Sequence, residues 1–337
     1  MNSPGPRTGS RARRRSPLAA LVLAASALVT LVTVPLAAPA TATTHPATAR
    51  TTPPPSPTAP HTGVVAGAHT PARTPEHAQA VRTFLAGRRA VSGPAWTHHP
   101  RIPGSQPTAS APQAGQVTHN WWGVFPQPGT HDGIMATHTV DPSYTVTDAD
   151  NVTYAPTTKA QNSCMEVVTA YTNTGNEIWA WDWCGTVGPA KTVPIDDNFL
   201  KNYTPGNGGP AAYSVQMVQD DAATNRWSAY LYNYRTAAWD LLFQQSGADQ
   251  SGLDHGWDMF EIYASVNPAT GEGYYCTEAR NTTFDSSAVQ LRHNGAWKPA
   301  SPTDSPWTDT NPDPNAFLCP PLKFVQAGAN DHWTVHQ

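Results

Sequence analysis

Cys164 and Cys184 bracket a stretch whose centre is Asn173-Thr174-Gly175, and that arrangement constrains the fold more than any other feature of the chain. A three-residue loop of this form places Gly at the left-handed position that closes a bulged turn. With the hairpin centred on Thr174, Thr172 falls opposite Asn176, Ala170 opposite Ile178 and Val168 opposite Ala180. Glu166 is then expected opposite Asp182, and Cys164 opposite Cys184. Cross-strand partners have Cβ atoms close enough to bridge, so a Cys164–Cys184 disulfide is predicted. With four cysteines in all, Cys276–Cys319 follows by elimination.

Disulfides need an oxidising compartment, and the N-terminus predicts one. Arg7, Arg11, Arg13, Arg14 and Arg15 precede an apolar run from Leu18 to Leu36, and Ala38-Pro39-Ala40 supplies small residues for cleavage. That order reads as a secretory signal peptide over residues 1–40, removed on export, which predicts a secreted, extracellular protein with no membrane attachment after cleavage. Metal ligation is the other use of cysteine. No CxxC pair and no HExxH occurs, so neither a metal nor another cofactor is expected.

Charge divides the remainder. Residues 41–115 hold six arginines and one glutamate, a net +5, whereas the chain from Gln116 onward holds nine Lys/Arg against 23 Asp/Glu, a net −14. An acidic domain is repelled by nucleic acid and anionic membranes, and its self-repulsion fades at low pH. The leader, 41–115, is rich in Thr, Pro and Ala, and its first part (41–72) reads as a disordered tether. One helix is predicted near 75–86, with Thr74 as N-cap, Pro75 at the first helical position and Val81, Phe84 and Leu85 on one stripe. Such a short helix does not stand alone in water, so the leader is expected to dock on the domain. The dibasic Arg88-Arg89 that follows suits either a removable propeptide or a plain stalk.

Residues 116–337 alternate short strands with turn residues and show no long helical period. Tyr213, Val215 and Met217 share one strand face, as do Ser228, Tyr230, Tyr232 and Tyr234, and as do Trp239, Leu241 and Phe243. About ten strands predict an all-β domain, an antiparallel β-sandwich of concanavalin or jelly-roll type held by two disulfides. The sequons at Asn151, Asn202 and Asn281 are expected on exposed segments.

Three acids stand in apolar or acidic company. The predicted register sets Glu166 beside Asp182, and two carboxylates at that spacing cannot both ionise freely, so one is expected to keep its proton above the usual ~4. Glu261 shares a strand face with Trp257, Met259 and Tyr263. Paired carboxylates of this kind activate water in hydrolases.

Asn120-Trp121-Trp122-Gly123, followed by Ile134-Met135-Ala136-Thr137-His138-Thr139-Val140-Asp141-Pro142-Ser143, resembles the opening of the secreted glutamic peptidases, the eqolisins. Glu166 lies where that family carries a catalytic Gln, which is a departure from its pattern. Trp179-Ala180-Trp181-Asp182-Trp183 resembles its next aromatic strand, and Glu261 lies where its catalytic Glu sits. The plant neprosins are similar in layout, with two glutamates on two strands and an N-terminal propeptide. Thr224–Asn233 and Thr236–Phe243 resemble their aromatic strand pair. The resemblance spans roughly residues 119–292. It implies an acid-acting endopeptidase with Glu261 as general base, Glu166 as the proton-holding partner and Asp182 as the acid that keeps Glu166 neutral. Trp179, Trp181, Trp257 and Tyr263 would line a polypeptide substrate.

Two other readings fit the same residues. Tryptophan and tyrosine rows on a sandwich also suit a carbohydrate-binding module, since sugar rings stack on aromatic faces. A glycoside-acting enzyme would use the same two carboxylates on a polysaccharide. The register above puts Trp179, Trp181 and Trp183 on the face opposite Glu166 and Asp182, so one face should be sandwich core and the other the working surface.

Overall fold

The computed structural model describes residues 54–71, 117–185 and 187–337. The signal peptide over 1–40, the helix near 75–86 and the remainder of the leader lie outside the described residues. Among the described residues fifteen strands form two sheets, fourteen of them from Val117 onward, where the sequence suggested about ten. Val, Ile, Thr, Tyr and Trp dominate these strands, residues that suit a pleated, half-buried surface.

The first sheet runs β1 (His61–Val64), β10 (Ala238–Gln245), β9 (Arg226–Asn233), β8 (Ala212–Asp221), β3 (Gly133–Thr139), β12 (Phe284–His293), β15 (His332–His336) and β14 (Lys323–Gln326), with β13 (Ala296–Pro299) also on β12. The second runs β2 (Val117–Val124), β11 (Trp257–Ser265), β4 (Val152–Lys159), β5 (Met165–Thr172), β6 (Gly175–Asp182) and β7 (Gly188–Pro194). All pairings within and between these strands are antiparallel except β1 on β10. The architecture is the expected all-β sandwich; the helices among the described residues are short, at Asp197–Tyr203 and Tyr274–Glu278, the latter followed by a 3-10 turn at Ala279–Asn281. The first of these begins at Asp196, whose carboxylate accepts the Phe199 amide as an N-cap.

Alternation along each strand sends every second residue into the space between the sheets. Met165, Val167, Ile178, Ala180, Phe260 and Ile262 of the second sheet meet Tyr213, Val215, Met217, Ala229 and Leu231 of the first there. The expected inward face of β8 is therefore observed. On β10 a bulge between Leu241 and Phe243 breaks the expected face. Trp239 and Leu241 pack outward with Tyr230 and Tyr232, and Phe243 packs against the inter-sheet core.

One polar network crosses that core. His138 on β3 places Nε2 2.9 Å from Asp258 Oδ2 on β11, and both side chains are buried. Thr158 Oγ1 donates to the same oxygen at 2.7 Å, and Trp333 Nε1 donates to Oδ1 at 2.8 Å. Burial works against a charge on Asp258, but His138, Ser286 and Thr158 outweigh it and hold the carboxyl below its usual range.

Both disulfides form as expected, Cys164–Cys184 and Cys276–Cys319. The hairpin register differs by one residue. Thr172 pairs with Gly175, so the turn has two residues, not three, and Glu166 lies opposite Trp181 while Asp182 lies opposite Met165. Thr172 causes the tightening: its hydroxyl accepts the Thr174 amide and donates to the Gly175 carbonyl at 3.0 Å. Cys164 still reaches Cys184, because its carbonyl pairs with the Trp183 amide and the two Cα atoms are 4.9 Å apart.

Two further expectations are corrected. Residues 54–71, read as part of a disordered tether, are ordered against the sandwich, with β1 laid parallel on β10 and Val65 buried in the core. Asn151, read as exposed, is buried with its Nδ2 donating to Glu278 at 2.9 Å; Asn281 is exposed. No helix among the described residues is long and apolar enough to cross a membrane.

Candidate active site on the outer face of the six-stranded sheet

A one-residue slip in register turns every side chain of a strand to the other face. Here it removes the conflict between the carboxylates and the tryptophans. Glu166, Val168 and Ala170 now share a face with Trp179, Trp181 and Trp183, and that face lies on the side of the sheet away from the inter-sheet core. The tryptophans are therefore neither sandwich core nor on the far side from Glu166. Asp182 takes the other side: its Oδ1 accepts the amides of Cys184 and Gly185 at 2.9 and 2.8 Å, and Oδ2 accepts from Gln245. It fixes the turn after β6 and is not the partner of Glu166.

Strand order brings the second carboxylate to the same surface. Glu261 on β11 pairs with Trp121 on β2 and with Tyr154 on β4. Phe260 and Ile262 point into the core, so Glu261 points outward beside Tyr263. Strand β4 thus separates the strands carrying Glu166 and Glu261, and its Tyr154 lies beside Glu261 and opposite Ala170. Burial first, then the charges of Glu261 and Glu166, push the Tyr154 phenol well above its ordinary range. The two glutamates are 1% and 3% exposed, among the most deeply buried acids described, so each needs partners to be tolerated.

Those partners are specific. Glu166 Oε1 accepts from Thr157 Oγ1 at 2.6 Å and from Trp257 Nε1 at 2.9 Å, while Oε2 accepts from Trp183 Nε1 at 3.1 Å. Glu261 Oε1 lies 2.5 Å from His119 Nε2 and accepts from Tyr263 OH at 2.9 Å. His119 stacks flat on Tyr263, ring centroids 4.1 Å apart. Lys159, buried and paired to Asp249 at 2.8 Å, sits over the Trp257 ring and steadies it from the other side.

The sequence-predicted aromatics divide into two sets. Trp257 and Tyr263 hold the carboxylates through their polar tips. Trp179 and Trp181 stack along β6 at 6.5 Å, with Trp179 Nε1 donating to Glu177. His119, Thr157, Trp183 and Tyr154 belong to the site and were missed. His119 was findable, since it stands two residues before Trp121 on a strand whose alternation puts both on one face; Thr157 was not, because a bulge between Tyr154 and Thr157 resets its phase. No group of three or more His, Cys, Asp or Glu side chains able to hold a metal occurs among the described residues.

No family model matches the chain, and no curated protein does. Solved structures similar to it include scytalido-glutamic peptidase with a peptide-based transition-state analogue, and SCP-B, a member of the eqolisin family, in complex with the tripeptide Ala-Ile-His. Each is 15% identical with a TM-score of 0.39, covering 66% of this chain and 99% of the other. The likeness is a distant one of fold.

Proposed function

We propose that the chain is a secreted hydrolase of the glutamic peptidase kind, which cleaves polypeptides with Glu166 and Glu261 as a carboxylate pair. The observation that carries this reading is that both acids are buried on one aromatic face, on strands that flank β4, and that the charges of both act on Tyr154. Two buried carboxylates on one face can divide the roles of base and acid between them.

Glu261 is the general base. His119, 2.5 Å away, supplies the partner its charge needs, and the Tyr263 hydroxyl donates to the same oxygen, leaving Oε2 to take a proton from water. The water attacks the peptide carbonyl. Glu166 is the acid and donates its proton to the developing oxyanion. Its Oε1 accepts from Thr157 and Trp257, and its Oε2 accepts from Trp183, which fixes the orientation of the carboxyl. Collapse of the tetrahedral intermediate breaks the C–N bond, passes the proton taken by Glu261 to the leaving amine and returns the oxyanion's proton to Glu166. Trp179 and Trp181, buried beside the pair, pack the apolar face on which Glu166 lies.

The test is digestion of casein between pH 3 and 5 by the purified protein and by its Glu261→Gln and Glu166→Gln variants. Loss of at least about a thousandfold in Glu261→Gln is expected, as for removal of a general base. Equal digestion by wild type and Glu261→Gln would overturn the assignment.

A further inference from the structure

Edge strand β10 does not face solvent. Residues 54–71 run along it as a strap that touches both sheets. At its start, Trp239 Nε1 donates to the Ser56 carbonyl at 3.1 Å and Gln216 Nε2 to that of Pro57 at 2.9 Å. His61 then stacks on Tyr230, centroids 4.0 Å apart and 7° between planes, while its Nε2 lies 2.8 Å from Gln216 Oε1. The Trp239 amide donates to Pro60 and the Val65 amide to Leu241, which closes the β1–β10 ladder at both ends. Ala66 donates to Tyr203 OH at 2.7 Å. Finally His69 exchanges two backbone hydrogen bonds with Thr192 on β7, the edge of the other sheet.

The fit is close. A Cβ on Gly63 would lie 2.1 Å from Asp240 Oδ1, so only glycine passes there. Asp240 is itself buried and fixed by Tyr203 OH at 3.0 Å and Asn233 Nδ2 at 2.8 Å, so it cannot withdraw without losing both. Pro54, Pro55, Pro57 and Pro60 fix φ at four positions of the strap before it binds, which lowers the ordering cost.

We propose that the β10 edge, with the Tyr230–Trp239 patch beside it, is a strand-accepting surface whose occupant is this chain's own segment 54–71. The segment is held there without covalent help, by β-augmentation. The persisting domain is then two pieces, 54–71 and 117–337, and loss of the leader between them leaves the strap in place as a second chain. The chain leaves the strap beside β7 and re-enters at β2, at opposite edges of the six-stranded sheet, and Arg88-Arg89 stands in the stretch between. A cut there hydrolyses one peptide bond with one water, giving a new carboxylate and a new amine, and leaves the strap's hydrogen bonds to β10, Gln216, Tyr203 and Thr192 in place.

The experiment places a site-specific protease sequence between residues 90 and 100 of the full chain, cuts it under native conditions, and runs size exclusion with intact mass measurement. Co-elution of both fragments at one to one is expected, with the Trp239 and Val65 amides still protected from hydrogen exchange. Separation of the fragments, or loss of that protection, would overturn the proposal. Gly63→Val, which meets Asp240 and leaves the inter-sheet core untouched, should release the strap after cutting. If the uncut Gly63→Val protein fails to fold, Trp239→Phe, which deletes the donor to Ser56, replaces it and should speed strap release. Retention at wild-type strength in the folded variant would overturn the assigned surface. Because the readout is co-elution, not activity, the result is separate from that of the peptidase reading.

Discussion

His119 Nε2 lies 2.5 Å from Glu261 Oε1, and the same imidazole lies flat against Tyr263, whose hydroxyl donates to that oxygen. One strand, β2, therefore positions the acid carried by the next, β11. A hydrogen bond to a charged group contributes about 1.5–3 kcal/mol. His119→Ala is expected to lower kcat/KM on peptide substrates by about 10- to 100-fold at unchanged fold, and His119→Gln, which keeps a donor near Nε2, to recover part of it. Steady-state assays with far-UV circular dichroism check this; equal rates in the three proteins would remove His119 from the site.

The buried His138–Asp258 pair predicts a pH-dependent share of stability. Asp258 is held below the ordinary carboxylate range, opposed by burial and carried by His138, Ser286 and Thr158. A carboxyl lowered on folding contributes stability that is present above its unfolded value near 3.9 and is lost as pH falls through the lower folded value. Asp258→Asn leaves His138 facing a neutral amide in the core, and is expected to cost about 3 kcal/mol at pH 7. Urea unfolding at pH 7 and pH 2.5 should show the gap from wild type narrowing at the lower pH. A gap independent of pH would mean that the pair carries no charge.

Much of this molecule is legible in its sequence, and the failures have physical causes. The two disulfides follow from cysteine number and one hairpin, and the strand face that Glu261 shares with Trp257, Met259 and Tyr263 follows from alternation along β11. The partner of Glu166 did not follow. Asn173-Thr174-Gly175 supports a two- or three-residue turn nearly equally, and the choice rests on the Thr172 hydroxyl, a contact that no local pattern announces. Since strand periodicity is two, that single residue moved Asp182 away from Glu166 and brought Trp181 across from it. The strap was missed for a different reason. Its proline-rich composition reads as disorder, and only the acceptor edge at β10, far away in sequence, makes it a strand.

His131 predicts a second pH effect, at milder acidity. Burial chiefly, with His293, Lys159 and His255 adding, lowers its pKa from 6.5 to about 3. Its Nε2 accepts the Gln161 amide at 3.0 Å, which needs the neutral ring. Between pH 6.5 and 3 the unfolded chain binds a proton here that the folded chain refuses, so stability present above pH 6.5 is lost progressively as pH falls through that window. His131→Gln keeps an acceptor near Nε2 and removes the titration. Calorimetry at pH 7 and pH 4 should give a smaller fall in Tm for the variant than for wild type, even if its Tm at pH 7 is lower; parallel falls would show that His131 does not titrate on unfolding.

The two disulfides should differ in what they contribute and in what depends on them. Cys164–Cys184 closes a loop of 20 residues and Cys276–Cys319 one of 43. Loop-closure entropy assigns about 3 kcal/mol to the first and about 4 kcal/mol to the second. Only the first flanks Trp183, the indole that donates to Glu166 Oε2, and its carbonyl at Cys164 accepts the Trp183 amide. Replacing Cys164 and Cys184 with Ser should therefore lower hydrolysis beyond what its stability loss explains, at temperatures where the protein is still folded. The Cys276/Cys319 double Ser variant should lose more stability and keep the rate per folded molecule. Thermal unfolding and initial rates, measured on the same preparations, decide it, and a uniform loss of rate in both variants would uncouple the first disulfide from the site.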